Sequence, residues 1–441
     1  MDFKIRDYLY PFQIIFLKRY LSKSKNFTYE NIIEYQNKKL EEIIKYAYYF
    51  IPYYKELFDK NRIKPEKIKT INDLSNIPIL TKEIVRNKID QLICDNKYFQ
   101  KNRPQIYYTS GTTGTPLKLY HDKYTNISKL AFYWHMWEIA GYKIGKKMAV
   151  ISGAFADTNR LFNYKKLANT LYISIFKINK ENSLEILDEL IKFKCEILRG
   201  VPSAVHNFLR FIENNKNINR LNIKSVICVS ENLLDFQRNY IKSILKADVF
   251  NMYCQWEHVC LAIECESGNM HHQMENGVLE ILDNDNNSLG YNRLGIITAT
   301  GFYNRTMPLI RYKTGDLAVK KRSDCKCNRN HDIIEKLDGR AEEVIFTPDG
   351  RFVSGLNSAF KYIKGFDFAQ IIQNKKDSID VKIVKNNWFS ENELKIFEQN
   401  LRLRLGNEIK INFYFVSDIE RSKSGKAMLV INNFLKNKSE S

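Results

Sequence analysis

The chain has no apolar run long enough to cross a bilayer. The most hydrophobic stretch near its start, residues 8–17 (YLYPFQIIFL), is too short and contains Pro11. No secretory signal is evident, so a cytoplasmic protein is expected. Membrane contact is at most peripheral: residues 8–17 either lie on a surface beside Lys18 and Arg19 or, more commonly for such a segment, pack onto their own domain. In a reducing compartment the eight cysteines are not expected to pair as disulfides. Acidic side chains are in deficit, 50 Asp and Glu against 69 Lys and Arg, for a formal charge of +19. Such an excess is one mark of a nucleic-acid or membrane partner. Here the lysines are scattered through a chain also rich in Asn, Ile and Tyr, and no compact basic cluster interleaves with aromatics. That pattern is a compositional bias, and no nucleic-acid partner is expected. Internal repeats and low-complexity linkers are also missing.

What is present is ample for packed cores. The chain has 441 residues, 44% of them hydrophobic and 13% aromatic, too many for one ordinary core, so two or more domains are expected. Leu40, Ile43, Ile44 and Ala47 recur at helical spacing up to Pro52. Residues 148–152 read as a strand, and Leu187, Leu190, Ile191, Cys195 and Leu198 as a helical stripe. Residues 224–230 (KSVICVS) and 247–253 read as buried strands. Strands separated by helices imply an α/β domain with a largely parallel sheet. The pattern changes near Asp338-Gly339-Arg340. Beyond it come short strands at 369–373, 381–384 and 409–416, with a helix between them that Ser390 and Glu393 would start as a capping box. This divides the chain into residues 1–337 and a small α+β unit, residues 338–441. Cys195 and Cys228 sit on apolar patterns and read as core.

Three segments carry chemistry. Thr109-Ser110-Gly111-Thr112-Thr113-Gly114-Thr115-Pro116 is a run of small residues. Its backbone N–H groups and hydroxyls suit phosphate oxygens. It is not a Walker A loop, because no Gly-Lys-Ser/Thr follows at the required spacing. Tyr312-Lys313-Thr314-Gly315-Asp316 lies near the middle of the remaining chain. Arg421-Ser422-Lys423-Ser424-Gly425-Lys426 lies near its end. The ordered trio suggests an enzyme that holds a nucleoside triphosphate and brings a distant lysine onto it.

The string Thr109 to Pro116 resembles the signature loop of the adenylate-forming superfamily, which includes acyl-CoA synthetases, aryl-acid ligases and luciferases. The remaining motifs follow in that family's order. Tyr253-Cys254-Gln255-Trp256-Glu257 is similar to its aromatic-x-x-x-Glu segment. Residues 311–316 resemble its Tyr-x-Thr-Gly-Asp segment, residues 338–343 its Gly-Arg hinge, and Ser424-Gly425-Lys426 its C-terminal lysine loop. Finer features resemble the phenylacetate–CoA ligase and CapK-like capsule-biosynthesis branch: Ile51-Pro52-Tyr53-Tyr54, residues 76–82 (NIPILTK) and Arg199-Gly200-Val201-Pro202-Ser203. The similarity spans nearly the whole chain.

The resemblance implies a large α/β N-terminal domain with mixed or parallel sheets flanked by helices, and a small mobile α+β C-terminal lid turning about Glu343. It implies ATP and Mg²⁺ as cofactors, activation of a carboxylic acid to an acyl-adenylate, and transfer of the acyl group. Thr109, Ser110, Gly111, Thr112, Thr113, Gly114 and Thr115 would cradle phosphates, and Ser230, Glu231 and Asn251 would join them around ATP. Tyr253 would stack on adenine, Glu257 would hold Mg²⁺, Asp316 would accept the ribose hydroxyls, and Arg340 would reach ribose or phosphate. Lys426 would bridge the carboxylate and the α-phosphate, offsetting the repulsion of two anions. Gly200, Val201, Pro202, Gln255, Trp256 and His258 would shape the acid pocket. The acceptor is open among coenzyme A, a carrier-protein thiol and a sugar amine, and the protein would act as a monomer or homodimer.

Two departures from the family pattern stand out. Pro116-Leu117-Lys118 replaces the usual Pro-Lys, which sets Lys118 one place further from the phosphate loop. Cys254-Gln255-Trp256 replaces smaller residues, which adds bulk to the acid pocket. A further set, Cys265, His271, His272, Cys325 and Cys327, allows three thiolates and one imidazole around a structural zinc; ordinary thiols are the other reading. Two other functions stay open: a nucleotide-binding scaffold of the same fold in a polysaccharide pathway, and a basic nucleic-acid-binding protein.

Overall fold

The computed structural model describes residues 11–94, 104–109, 117–153, 160–340, 345–348, 352–353, 356–360, 363–420 and 427–434. Ser110 to Thr115, Glu343 and Lys426 therefore lie outside the described residues. The described chain falls into two compact units, each built from two separated stretches: Met1–Ile144 with Phe250–Leu337, and Gly145–Val249 with Asp338–Ser441.

The first stretch is helical. Helix α1 (Pro11–Ser24) carries Pro11 in its first described turn, where a missing N–H is tolerated. It packs on its own unit: Ile14 and Leu21 are buried and Lys18 pairs with Glu138, while Phe16 stays 78% exposed. Helix α2 (Tyr29–Phe50) is capped by Thr28 and buries the expected stripe of Leu40, Ile43, Ile44 and Ala47. Pro52 both ends α2 and opens α3 (Pro52–Lys60). A short helix α4 (Lys82–Asn87) is capped by Thr81. Strands β1 (Gln105–Tyr108) and β2 (Lys118–His121) pair antiparallel on either side of the phosphate-loop string. Helix α5 (Lys123–Ile139) is buried almost all round, which suits its run of apolar and aromatic residues.

The second unit opens with β3 (Met148–Ser152), β4 (Phe162–Lys165), β5 (Thr170–Ser174), α6 (Ser183–Phe193), β6 (Ile197–Gly200), α7 (Pro202–Ile212), β7 (Ser225–Val229) and α8 (Asp235–Leu245). Its strand order is β7-β6-β3-β5-β4. The pairs β3–β5, β3–β6 and β6–β7 are parallel and β4 runs antiparallel on β5. The helical stripe expected to reach Leu198 stops at Phe193. Lys194 caps α6 in the left-handed conformation, and Leu198 belongs to β6. A buried strand directly after a helix continues the apolar spacing without a break, so periodicity cannot locate the switch. Cys195 and Cys228 are core, as expected.

Strand β8 (Asp248–Tyr253) leads into the first unit's sheet, formed with β9 (Ala262–Glu264), β10 (Met270–His272), β11 (Gly277–Leu282), β12 (Leu294–Gly301), β13 (Tyr312–Lys321) and β14 (Ile333–Arg340). Here the pairs β8–β9, β9–β10, β10–β14, β11–β12 and β12–β13 are antiparallel. The largely parallel sheet expected from strand–helix alternation thus holds for residues 148–229, and the protein as a whole has mixed sheets.

The last stretch contains the hairpin β15 (Ile345–Phe346) and β16 (Phe352–Val353), then β17 (Phe366–Lys375), β18 (Ser378–Lys385), α9 (Glu391–Leu405), β19 (Lys410–Phe415) and β20 (Val430–Asn432). Four of these strands form a sheet in the order β19-β18-β17-β20. Its core includes Ile371, Val381, Phe397 and Leu401, with Leu234 joining from the earlier stretch of the same unit. Only half of the expected capping box forms. The Ser390 hydroxyl accepts from Glu393 N–H at 3.2 Å, but the Glu393 carboxylate turns to Lys364 N–H at 2.8 Å.

Candidate active site

Within the first unit, Thr314-Gly315-Asp316 makes a locked turn. Gly315 has φ +86°, where a side chain would be strained. The Thr314 hydroxyl accepts from Asp316 N–H and donates to the Ile297 carbonyl, each at 3.0 Å. The turn sets the Asp316 carboxylate to accept from the Tyr253 hydroxyl at 2.6 Å. Burial first, and the Asp316 charge next, push the Tyr253 phenol well above its ordinary range, so it stays a donor at neutral pH. The Gln255 amide donates to the same phenol oxygen. Two residues expected at the nucleotide from separate motifs are thus in direct contact. Asn251, two places before Tyr253 on β8, donates its N–H to Glu264 at 2.6 Å.

The Glu257 carboxylate accepts from the Tyr312 hydroxyl at 3.0 Å. The sequence reading used Tyr312 only to recognise a motif, yet this fully buried tyrosine positions the carboxylate expected to meet magnesium. Trp256 stacks on Tyr107 with centroids 5.1 Å apart and an interplanar angle of 25°. Over the Trp256 ring, 4.3 Å from its centroid, lies the ammonium of Lys129, which the sequence reading passed over. His258 is buried, with a left-handed φ of 55°, edge-on to Phe132 at 6.1 Å. Burial holds the His258 imidazole well below its ordinary range.

The ends of the phosphate-loop string are tied to each other. Thr109 N–H donates to the Leu117 carbonyl at 2.9 Å, and the Thr109 hydroxyl accepts from Leu117 N–H at 3.0 Å. Lys118 directs its ammonium over the Tyr120 ring at 4.9 Å. Two motifs of the finer resemblance prove to be anchors. Tyr54, 1% exposed, donates to the Pro308 carbonyl and accepts from Ile310 N–H. Residues 76–82 are held by Arg311, which donates to the Ile77 carbonyl at 2.8 Å and pairs with Glu280, while Leu80 bonds the backbone of Arg311 and Lys313. Together they brace the approach to β13 and its Asp316.

In the second unit, Gly200, the last residue of β6, leaves no room for a side chain: an added Cβ would meet Val205 Cγ2 at 3.0 Å and Ile151 Cβ at 3.1 Å. Val201 leads to Pro202 at the first turn of α7. Glu231, just beyond Ser230 (φ 77°), accepts from Ser203 N–H at 3.4 Å in the first turn of α7, where a carboxylate is favoured. The same carboxylate accepts from Ala427 N–H at 2.7 Å. The residue directly after Lys426 is therefore fixed on Glu231, a second pairing of two segments expected at one site. Arg340 is the last residue of β14.

The cysteine set also assembles, within the first unit. The ligand atoms of Cys265, His271, Cys325 and Cys327 lie within 4.8 Å of one another. Cys265 Sγ is 3.5 Å from Cys325 Sγ, and Cys327 Sγ is 3.2 Å from His271 Nε2. Ligands about 2.0–2.3 Å from a tetrahedral zinc stand roughly 3.5–3.8 Å apart, so this donor set, spread over up to 4.8 Å, fits such an ion only loosely. His271 turns its Nδ1 to the His331 carbonyl at 3.0 Å, the outer contact that aims Nε2 at a metal. Asn269 and Ser267 N–H donate to the sulfurs. His272, the neighbouring alternative, is not in the set.

Residues 345–433 match the model of the CapK C-terminal domain family. The chain is 28% identical over 415 residues to Protein CapK of Staphylococcus aureus, covering 91% of this chain and 90% of CapK. It is 21% identical over 324 residues to phenylacetate-coenzyme A ligase of Thermus thermophilus, 72% of each chain. Among solved structures, 2-hydroxyisobutyryl-CoA ligase in the postadenylation state with R3-HIB-AMP superposes with a TM-score of 0.75 at 14% identity, covering 94% of this chain and 92% of that one. At that identity the likeness is one of fold. The chain is a relative of CapK and of phenylacetate–CoA ligase, and its fold is that of the adenylate-forming acyl-CoA ligases.

Proposed function

We propose that the protein uses ATP to activate a carboxylic acid as an acyl-adenylate and passes the acyl group to a thiol or amine, in surface-polysaccharide biosynthesis. The observation that carries this reading is the 2.6 Å contact between Tyr253 and Asp316, which joins the aromatic-x-x-x-Glu and Tyr-x-Thr-Gly-Asp motifs. Asp316 accepts the ribose hydroxyls, Tyr253 meets adenine, and Glu257, steadied by Tyr312, offers magnesium a carboxylate oxygen. The string from Thr109 to Thr115 takes phosphates. Lys426, next to the Ala427 that Glu231 holds, supplies the positive charge as carboxylate meets α-phosphate. Coenzyme A is the favoured acceptor, since acid–CoA ligases share the fold. The part from 338 onward turns about Glu343 to bring Lys426 in for the first half-reaction and withdraw it for the second. Cys265, His271, Cys325 and Cys327 hold one structural zinc.

The test is ATP–pyrophosphate exchange over a panel of acids, with wild type and Lys426→Ala. Wild type should exchange with at least one acid. Lys426→Ala should lose adenylation by about a hundredfold or more, because an aligned charge at the transition state is worth roughly 2.7 kcal/mol or more. Transfer from supplied acyl-adenylate should be spared. Equal loss in both half-reactions would remove the withdrawn lysine and the turning part with it. ATP binding with no exchange on any acid would instead favour a nucleotide-binding scaffold.

A further inference from the structure

Lys129 projects from α5, a helix otherwise buried through apolar and aromatic residues. The lysine is 2% exposed, and its Nζ makes no hydrogen bond among the described residues. Two aromatic faces flank it: Trp256 at 4.3 Å and Tyr107 at 5.5 Å from Nζ to centroid. His121 packs on Tyr107 at 4.7 Å and His258 lies nearby, both buried. Lys129 feels the charges of Cys254 and Glu257, but no carboxylate stands within ion-pair distance among the described residues. The Gln255 side-chain oxygen is also buried, with no hydrogen-bond partner among the described residues.

Bringing an ammonium out of water costs several kcal/mol. Cation–π contact returns up to about 2 kcal/mol in a desolvated setting, so the two rings alone do not offset that cost. Burial depresses the Lys129 amine to about 7, and burial together with Lys129 keeps His121 and His258 neutral. The cluster is donor-rich and has no carboxylate paired with it among the described residues. It lies against Gln255 and Trp256, where the family pattern has smaller residues, and His258, three positions where the acid is proposed to sit.

We propose that Lys129 is a specificity-determining residue that hydrogen-bonds a second carboxylate of the substrate, remote from the carboxylate that is activated. The acid is then a dicarboxylic acid. This deepens the ligase reading and rests on it. The second carboxylate completes the ammonium's ion pair and slides between faces that reject bulky apolar groups at that depth. Trp256 and Tyr107 hold the ammonium for it.

The experiment compares wild type with Lys129→Met, which keeps length and removes charge. Pyrophosphate exchange is measured on aliphatic and aromatic dicarboxylic acids and on monocarboxylic acids of matched length. Wild type should favour the dicarboxylic member of its best pair by roughly tenfold to hundredfold in kcat/KM, the effect of one charged hydrogen bond. Lys129→Met should lose that preference while binding ATP normally and unfolding at a higher temperature, since an unpaired buried charge is gone. A structural lysine would give the opposite sign in melting. Preference of wild type for the monocarboxylic acids, or equal loss on both classes in the variant, would overturn the proposal. A second readout does not need catalysis: dicarboxylic acids should raise the wild-type melting temperature and leave Lys129→Met unmoved. If no acid drives exchange the ligase reading fails, and Lys129 is then judged by that shift alone, its absence being fatal.

Discussion

Asp316 accepts the Tyr253 hydroxyl at 2.6 Å, on a turn that Gly315 and Thr314 lock in place. A carboxylate held this way is set for a diol, and two ribose hydroxyls donating to it would form charge-assisted hydrogen bonds. Asp316→Ala should therefore weaken ATP binding by roughly tenfold to hundredfold, the range for hydrogen bonds to a charged group, without changing the fold. Tyr253→Phe keeps the ring and removes only the positioning hydroxyl, so its loss should be smaller. Calorimetric titration with ATP checks both, and unchanged affinity in Asp316→Ala would leave it a turn residue. These two positions were legible because each sits in a short motif whose spacing is local. Tyr312, Arg311 and Lys129 were not. Tyr312 matters through Glu257, 55 residues away, and Arg311 through Ile77, 234 residues away. Lys129 hides in a helix whose pattern reads only as core.

At the scale of elements, the cysteine cluster depends on three pieces meeting: the end of β9 with Cys265, β10 with His271, and the β13–β14 connection with Cys325 and Cys327. The pairing of β10 with β9 and β14 brings them together. A zinc there would tie a connection with little regular structure to a sheet, so its removal should be felt as lost stability. Purified protein should carry about one zinc per chain. Replacing Cys325 and Cys327 together by Ser should release it and lower the melting temperature, and elemental analysis finding no stoichiometric metal in wild type would end the assignment. The donor types were legible in the sequence, and His271 over His272 was chosen by strand register. The same limit explains the helical stripe drawn to Leu198. Apolar spacing marks what is buried, while the αL cap at Lys194 that ends α6 has no sequence signature in a lysine. Strand–helix alternation alone did not reveal the antiparallel half of the sheet system, because its strands follow one another without helices and pairing direction is not written in alternation; mixed sheets came only from the resemblance.

Across the whole molecule, acid stability depends on groups whose proton affinity folding changes. Burial depresses the imidazoles of His135 and His206 to about 4, against an ordinary value of 6.5. The folded state resists their protonation and the unfolded state does not. Their contribution is therefore fully present above pH 6.5 and is lost as pH falls from 6.5 toward 4. Glu275 acts lower down. Burial would raise its carboxyl, but the contact with His331 at 2.8 Å prevails and holds it at about 2. Its contribution is present above about 4.5 and is lost as pH falls toward 2. Each pH unit of displacement corresponds to about 1.4 kcal/mol. Urea midpoints should thus fall from pH 8 to 7, where the unfolded state binds the Lys129 proton that the fold resists until about 7, decline further from pH 6.5 to 4, and fall again below 4.5. Replacing His135 by Gln should flatten the decline from pH 6.5 to 4, since one proton fewer is taken up on unfolding in that range, and leave the others in place. A midpoint that holds steady from pH 7 to 4.5 in wild type would mean that these histidines reach water in the folded state.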